Sequence, residues 1–145
     1  MSLEIHQELE IGVPVERVFA AWTTPGQLIQ WWGDDDSYHV TDWECDLRVG
    51  GKWVSRGKGK DGKPFVVQGE YTRVDPPHHL AFSWTHDWAG VAETTHVALE
   101  LIATKTGTLL KLHHTGFENE QSCAGHSQGW IRVTGWMKAF VEARK

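Results

Sequence analysis

Residues 126–140 read His126-Ser127-Gln128-Gly129-Trp130-Ile131-Arg132-Val133-Thr134-Gly135-Trp136-Met137-Lys138-Ala139-Phe140, and this stretch decides the fold. His126, Trp130, Val133, Met137 and Phe140 recur at alternating steps of four and three, which places them on one face of an α-helix. A narrow apolar stripe on a closing helix needs a surface to cover. Gly125 and Gly129 lie inside the same helix, where each glycine costs roughly 1 kcal/mol relative to alanine. Their missing side chains leave either a close approach for a strand or room for a ligand.

Upstream of the helix, the chain supplies that surface. Residues 37–46, 52–57, 65–74, 80–85, 94–103 and 108–115 each have strand length and a β-rich composition. Gly50-Gly51, Asp61-Gly62, Asp75-Pro76-Pro77 and Thr106-Gly107 punctuate them as tight turns, with a looser loop at Asp87 to Glu93. The spacing predicts an antiparallel meander. A further strand opens the chain, with Leu3, Ile5, Leu9 and Ile11 on one parity and Glu4, His6, Glu8 and Glu10 on the other. Pro14 suits a first helical position, followed by Val15, Val18, Phe19 and Trp22 at helical spacing. Thr24 and Pro25 start a second short helix that carries Leu28, Ile29, Trp31 and Trp32 to a stop at Gly33. The sum is an α+β plan: about seven antiparallel strands in a curved sheet wrapped on a long C-terminal helix, with two short helices after the first strand.

Bulk properties bound the function. A length of 145 residues suits one domain spanning residues 1–145, and 40 % hydrophobic with 23 % charged residues is ordinary for a globular protein. The net charge of −5 argues against nucleic acid or an anionic membrane as partner. Lys58, Lys60 and Lys63 gather only at one hairpin tip. No apolar run is long enough to cross a membrane, and Met1-Ser2-Leu3-Glu4 does not open a signal peptide. Cys45 and Cys123 form neither a CxxC nor a disulfide framework, so reduced thiols and a cytoplasmic location are expected.

The order of motifs resembles the START-like, or helix-grip (SRPBCC), superfamily. More narrowly it is similar to the bacterial stand-alone AHSA-like family, related to the C-terminal domain of the heat-shock-protein ATPase activator. The resemblance rests on Pro14-Val15-Glu16-Arg17-Val18-Phe19-Ala20-Ala21-Trp22, Gln30-Trp31-Trp32-Gly33 and Asp46-Leu47-Arg48-Val49-Gly50-Gly51-Lys52-Trp53. It continues through Gly69-Glu70-Tyr71, Asp75-Pro76-Pro77, Leu80-Ala81-Phe82-Ser83-Trp84-Thr85 and Leu110-Lys111-Leu112-His113-His114-Thr115-Gly116-Phe117. His126 with Gly129-Trp130 closes it. The resemblance implies the helix-grip fold, a ligand cavity, a homodimer in many members, and a chaperone or stress-related partner as the alternative to a small molecule. The eukaryotic activator carries an additional N-terminal domain not seen in this sequence, so direct stimulation of a chaperone ATPase is not expected.

Nine tryptophans, at positions 22, 31, 32, 43, 53, 84, 88, 130 and 136, mark the candidate site. On the second strand His39, Thr41, Trp43 and Cys45 share a face opposite the acidic Asp42, Glu44 and Asp46, so the His–Trp parity is expected inward. The same logic turns Trp53 and Ser55, then Phe82 and Trp84, then Leu112 and His114 inward, while His126 and Trp130 look down from the helix. Trp31 or Trp32 stands at the mouth, Trp22 in a helix stripe, Trp136 on a helix flank and Trp88 in a loop. The set either lines one cavity for a small hydrophobic or aromatic molecule or packs as a solid aromatic core.

Chemistry is harder to find. No metal spacing occurs, and only His39, His114 and His126 could meet in the interior. His114 and His126 read better as polar anchors that orient a ligand or hold helix to sheet. No catalytic set, metal or cofactor is expected. A cyclase- or hydrolase-like enzyme using the cavity histidines ranks behind ligand binding and behind a protein-interaction module around Trp88. Asp46 and Arg48 read as a structural ion pair, and Asp34-Asp35-Asp36 as a solvated loop.

Overall fold

A computed structural model describes residues 3–86 and 94–144. Ten elements follow in the order β1 (Ile5–Ile11), α1 (Val15–Thr23), α2 (Pro25–Trp31), β2 (Tyr38–Cys45), β3 (Lys52–Gly59), β4 (Pro64–Asp75), β5 (His79–His86), β6 (Thr94–Ala103), β7 (Thr108–Thr115) and α3 (Glu120–Glu142). The seven strands form one antiparallel sheet in the order β1-β7-β6-β5-β4-β3-β2. Strands β2 to β7 are therefore a meander of consecutive hairpins, and β1 adds to the free edge of β7. This is the α+β helix-grip architecture that the periodicities foretell. The expected loop at Asp87 to Glu93, with Trp88, lies outside the described residues.

Local chemistry sets the helix boundaries. Pro14 stands one position earlier than expected, as the residue capping α1, and Val15, Val18, Phe19, Ala21 and Trp22 form the buried face. Asn119 opens α3 by accepting the Ser122 N–H at 3.0 Å, satisfying one of the orphan donors of the first turn. The α3 stripe leaves the sequence pattern at its end. Trp130, Val133, Thr134, Met137 and Val141 are buried, while Phe140 is half-buried with the Arg144 guanidinium 4.4 Å from its ring centre. Helical geometry explains this: Val141 lies four residues after Met137 and continues the face, whereas Phe140 drifts onto the flank.

Two β-bulges bend the sheet. On β2 the register passes from Val40↔Gly57 to Asp42↔Arg56, so Thr41 is the extra residue. On β4 it passes from Tyr71↔Phe82 to Arg73↔Ala81, leaving Thr72 extra. A bulge bends its strand and raises the local twist, and it reverses the parity of side chains on one side of it. The Thr41 bulge decides which residues of β2 face inward.

The helix does not cover the sheet evenly. It packs on β1, α1 and α2. Leu110, Leu112, Val97, Met137 and Val141 are buried beneath it on that side, with a small gap of about 270 Å³ between β1, β7 and α3. Above β2 to β5 a gap opens between helix and sheet.

Candidate functional site: an aromatic cavity under the last helix

The gap is a cavity of about 720 Å³, within the range typical of small-molecule sites. Its floor is Trp32, Val40, Trp43, Ser55, Val67 and Trp84, and its roof is the first half of α3, from Ser122 through Gly125, His126 and Gly129 to Val133. Tyr38, Phe65, Gln128 and Arg132 also line it, as do His86 and Asn119. The glycines explain the space. A Cβ built on Gly125 or on Gly129 meets nothing within 4 Å, so their absent side chains serve the void and not a close strand contact. Phe65 reaches the wall by lying over Gly57, where an added Cβ would stand 2.5 Å from the ring.

Indoles form the continuous inner surface. Trp31 stacks on Trp32 at 5.0 Å between ring centres, Trp32 meets Trp43 at 5.5 Å, and Trp43 stacks on Trp53 at 5.3 Å with planes 10° apart. Trp53 meets Trp84 at 5.7 Å, Trp84 meets Trp130 at 5.3 Å, and Trp22 touches Trp31, Trp32 and Trp130. Trp136 joins at the rim through an edge contact with Tyr38, whose hydroxyl accepts the Trp32 N–H at 3.3 Å. Eight of the nine tryptophans thus belong to one connected system.

Two reciprocal bonds tie helix to sheet. Trp130 of α3 donates its indole N–H to His114 Nδ1 of β7 at 2.9 Å, and Trp84 of β5 donates to His126 Nε2 of α3 at 3.2 Å. Because an indole only donates, each histidine nitrogen facing it must accept, and the other ring nitrogen carries the proton. His126 Nδ1–H then donates to Ser122 O at 2.8 Å, and His114 Nε2–H donates to Thr95 Oγ1 at 2.6 Å. Thr95 in turn donates to Trp84 O at 3.3 Å. Burial, reinforced by neighbouring His126, His96 and His86, pushes His114 down to about 3, so it stays neutral at physiological pH. Burial likewise raises the Tyr38 phenol.

The structure divides the expected site residues. Trp32, Trp43, Trp84, His126 and Trp130 line the cavity. Trp31, Trp53, Phe82, Leu112 and His114 are buried behind it. Trp31 turns its N–H to Ala21 O at 2.9 Å, Trp53 is covered by the stacked Trp43, and Phe82 stands edge-on beneath Trp53. Leu112 lies under the packed half of the sheet, and His114 is sealed beneath Trp130. His39 and Thr41 face outward, because the bulge at Thr41 turns Tyr38 and Val40 inward together with Trp43. His39 instead lies 3.9 Å from the exposed Asp35.

The residues that parity missed are Tyr38, Val40, Phe65, Val67, His86, Gln128 and Arg132. His86 continues the Phe82–Trp84 alternation by one further step, a signal present in the sequence. Elsewhere the expectations hold in detail: Arg48 Nε meets Asp46 Oδ2 at 2.7 Å, and Asp34 Oδ1 accepts from Ser37 Oγ at 2.7 Å in an exposed turn. Neither Cys45 nor Cys123 lines the cavity.

A curved antiparallel sheet gripping a long C-terminal helix, with a cavity between them, defines a helix-grip (SRPBCC) protein. The chain belongs to the family described as activator of Hsp90 ATPase homolog 1-like protein, whose sequence profile matches residues 12–142. It is similar to the AHSA1-like protein from Aeromonas hydrophila, at 28 % identity and TM-score 0.78, covering 97 % of this chain and 93 % of that one. A protein from Arthrobacter aurescens shares the fold at 24 % identity and TM-score 0.81, with 98 % and 87 % covered. So does a protein from Rhodobacter sphaeroides at 18 % identity and TM-score 0.82, with 98 % and 94 % covered. No functionally curated protein matches the chain. No helix among the described residues is long and apolar enough to cross a membrane.

Proposed function

We propose that this protein binds a small, flat, largely hydrophobic molecule in the cavity under α3. The observation that carries the reading is the open space left by Gly125 and Gly129 above a continuous indole floor. Those glycines weaken the helix, and a packed core would have filled their positions. Burial of ligand surface drives affinity at about 25 cal/mol per Å², and the indole faces suit ring systems. Polarity is confined to a few points. Arg132 is the one Arg, Lys, Asp or Glu among the described lining residues, and no described residue forms an ion pair with it. A ligand with an aromatic or alicyclic body and a carboxylate end suits the indole floor and Arg132 together.

Acid–base catalysis finds less support. His114 is sealed and neutral, and both nitrogens of His126 are held by Trp84 and Ser122. Family membership supports a second reading, a chaperone-related interaction module. Its expected patch around Trp88 falls outside the described residues, and the exposed Ile29, Leu47, Val49 and Ile131 lie on three separate segments.

Titrating intrinsic tryptophan fluorescence with a panel of aromatic acids, their neutral amides and fatty acids tests the proposal. Saturable quenching or a spectral shift by at least one class is expected, abolished in Gly129→Leu. A flat response across the whole panel would overturn it.

A further inference from the structure

We propose a divalent transition-metal site on the outer face of the sheet, formed by Glu4 and His6 beside β7 residue His113. It is independent of the cavity, which lies on the opposite face. The antiparallel register sets His6 directly across from His113. Their imidazoles stack with ring centres 4.0 Å apart and planes 21° apart. Two residues earlier on the same parity, Glu4 reaches both: its Oε1 lies 2.6 Å from His113 Nε2 and 3.7 Å from His6 Nε2. One ligand atom from each of the three residues falls within 4.8 Å of the others.

That geometry is close to what a metal requires. Zinc binds imidazole nitrogen at about 2.0–2.1 Å and carboxylate oxygen at about 2.0–2.2 Å, so tetrahedral ligand atoms sit roughly 3.3 Å apart. The separations of 2.6 and 3.7 Å bracket that value, and small rotations of exposed side chains close the difference. His6 and His113 are fixed in the β1–β7 ladder and Glu4 stands one residue before it, so little of the framework must be ordered on binding. Two imidazoles and one carboxylate select a borderline cation such as Zn²⁺, with Ni²⁺ and Cu²⁺ as close competitors, over Mg²⁺ or Ca²⁺. The ion would replace the Glu4–His113 hydrogen bond and keep water at its remaining positions. Since β1 is an edge strand, a bound ion would clip it to β7.

The test uses the tag-free full-length chain, because a polyhistidine tag would mask the result. Isothermal titration with ZnCl₂ is expected to show one saturable site, with MgCl₂ and CaCl₂ silent. His6→Ala/His113→Ala and Glu4→Gln are expected to weaken zinc at least about tenfold. Zinc is also expected to raise the Tm of the parent chain and not that of the double variant. Circular dichroism verifies that the variants fold. The proposal is overturned if the parent takes up no zinc at 100-fold molar excess, or if the parent and double variant titrate alike and other histidines carry the binding.

Discussion

The two halves of the sheet meet the same helix in opposite ways. Beneath α3, strands β7 and β6 present Leu110, Leu112 and Val97, buried together with Met137 and Val141, and the gap left beside β1 is the smaller one, about 270 Å³. Across β2 to β5 the same helix turns Gly125 and Gly129 toward indoles and leaves about 720 Å³ between them. The filled half uses branched and flexible aliphatic side chains that interdigitate. The open half uses rigid rings that brace one another edge to face, so its wall stands without a plug. Packing and open space are thus assigned to different halves of one layer, and the Trp130–His114 and Trp84–His126 bonds join them.

The largest expected effect lies at that joint. Unfolded, an imidazole takes up its proton near 6.5, whereas folded His114 does so only at about 3. Between these values the unfolded chain binds more protons, so stability falls as pH drops through the window and is constant above it. The slope approaches about 1.4 kcal/mol per pH unit, on the order of 5 kcal/mol across the window. Urea melts of the parent and of His114→Gln, taken at steps from about pH 7 downward, separate this from carboxylate effects. An equal slope in both proteins would remove His114 from the account.

Next comes the filled half. Leu112→Ala is expected to cost about 3 kcal/mol by urea denaturation, because it removes most of a fully buried aliphatic side chain. Ligand response in the fluorescence titration should be unchanged, and a joint loss would show that the halves are not separate. The open half should behave in the reverse sense. Gly129→Ala is expected to raise stability by about 1 kcal/mol, since the new methyl meets no atom within 4 Å. The smallest effect falls on the rim: Arg132→Gln should leave the melt within about 0.5 kcal/mol and weaken aromatic acids selectively over their neutral amides.

Much of this arrangement is legible in the sequence, and the failures are local. All seven strands and three helices follow from period and turn chemistry, because alternation and helical spacing are properties of neighbouring residues. Trp43, Trp84, His126 and Trp130 reach the cavity wall as parity requires. His39 does not, because a bulge inserts one residue and reverses the faces of β2, and nothing local distinguishes Thr41 from its neighbours. Trp53, Phe82 and Leu112 point inward as expected yet lie beneath other side chains, since parity gives a face and not a depth. The Glu4–His6–His113 cluster matches no local metal spacing, because it joins two segments more than a hundred residues apart in sequence.

The sequence by itself determined the helix-grip plan, the inward aromatic load and the unfilled positions in the last helix. Those are carried by periodicity and by residue volume, which act over a few positions. Only the tertiary structure decided where α3 rests, and hence which half of the sheet is packed and which is left open. That choice depends on register, bulges and the sum of contacts from β1, α1 and α2, which no single stretch of chain contains.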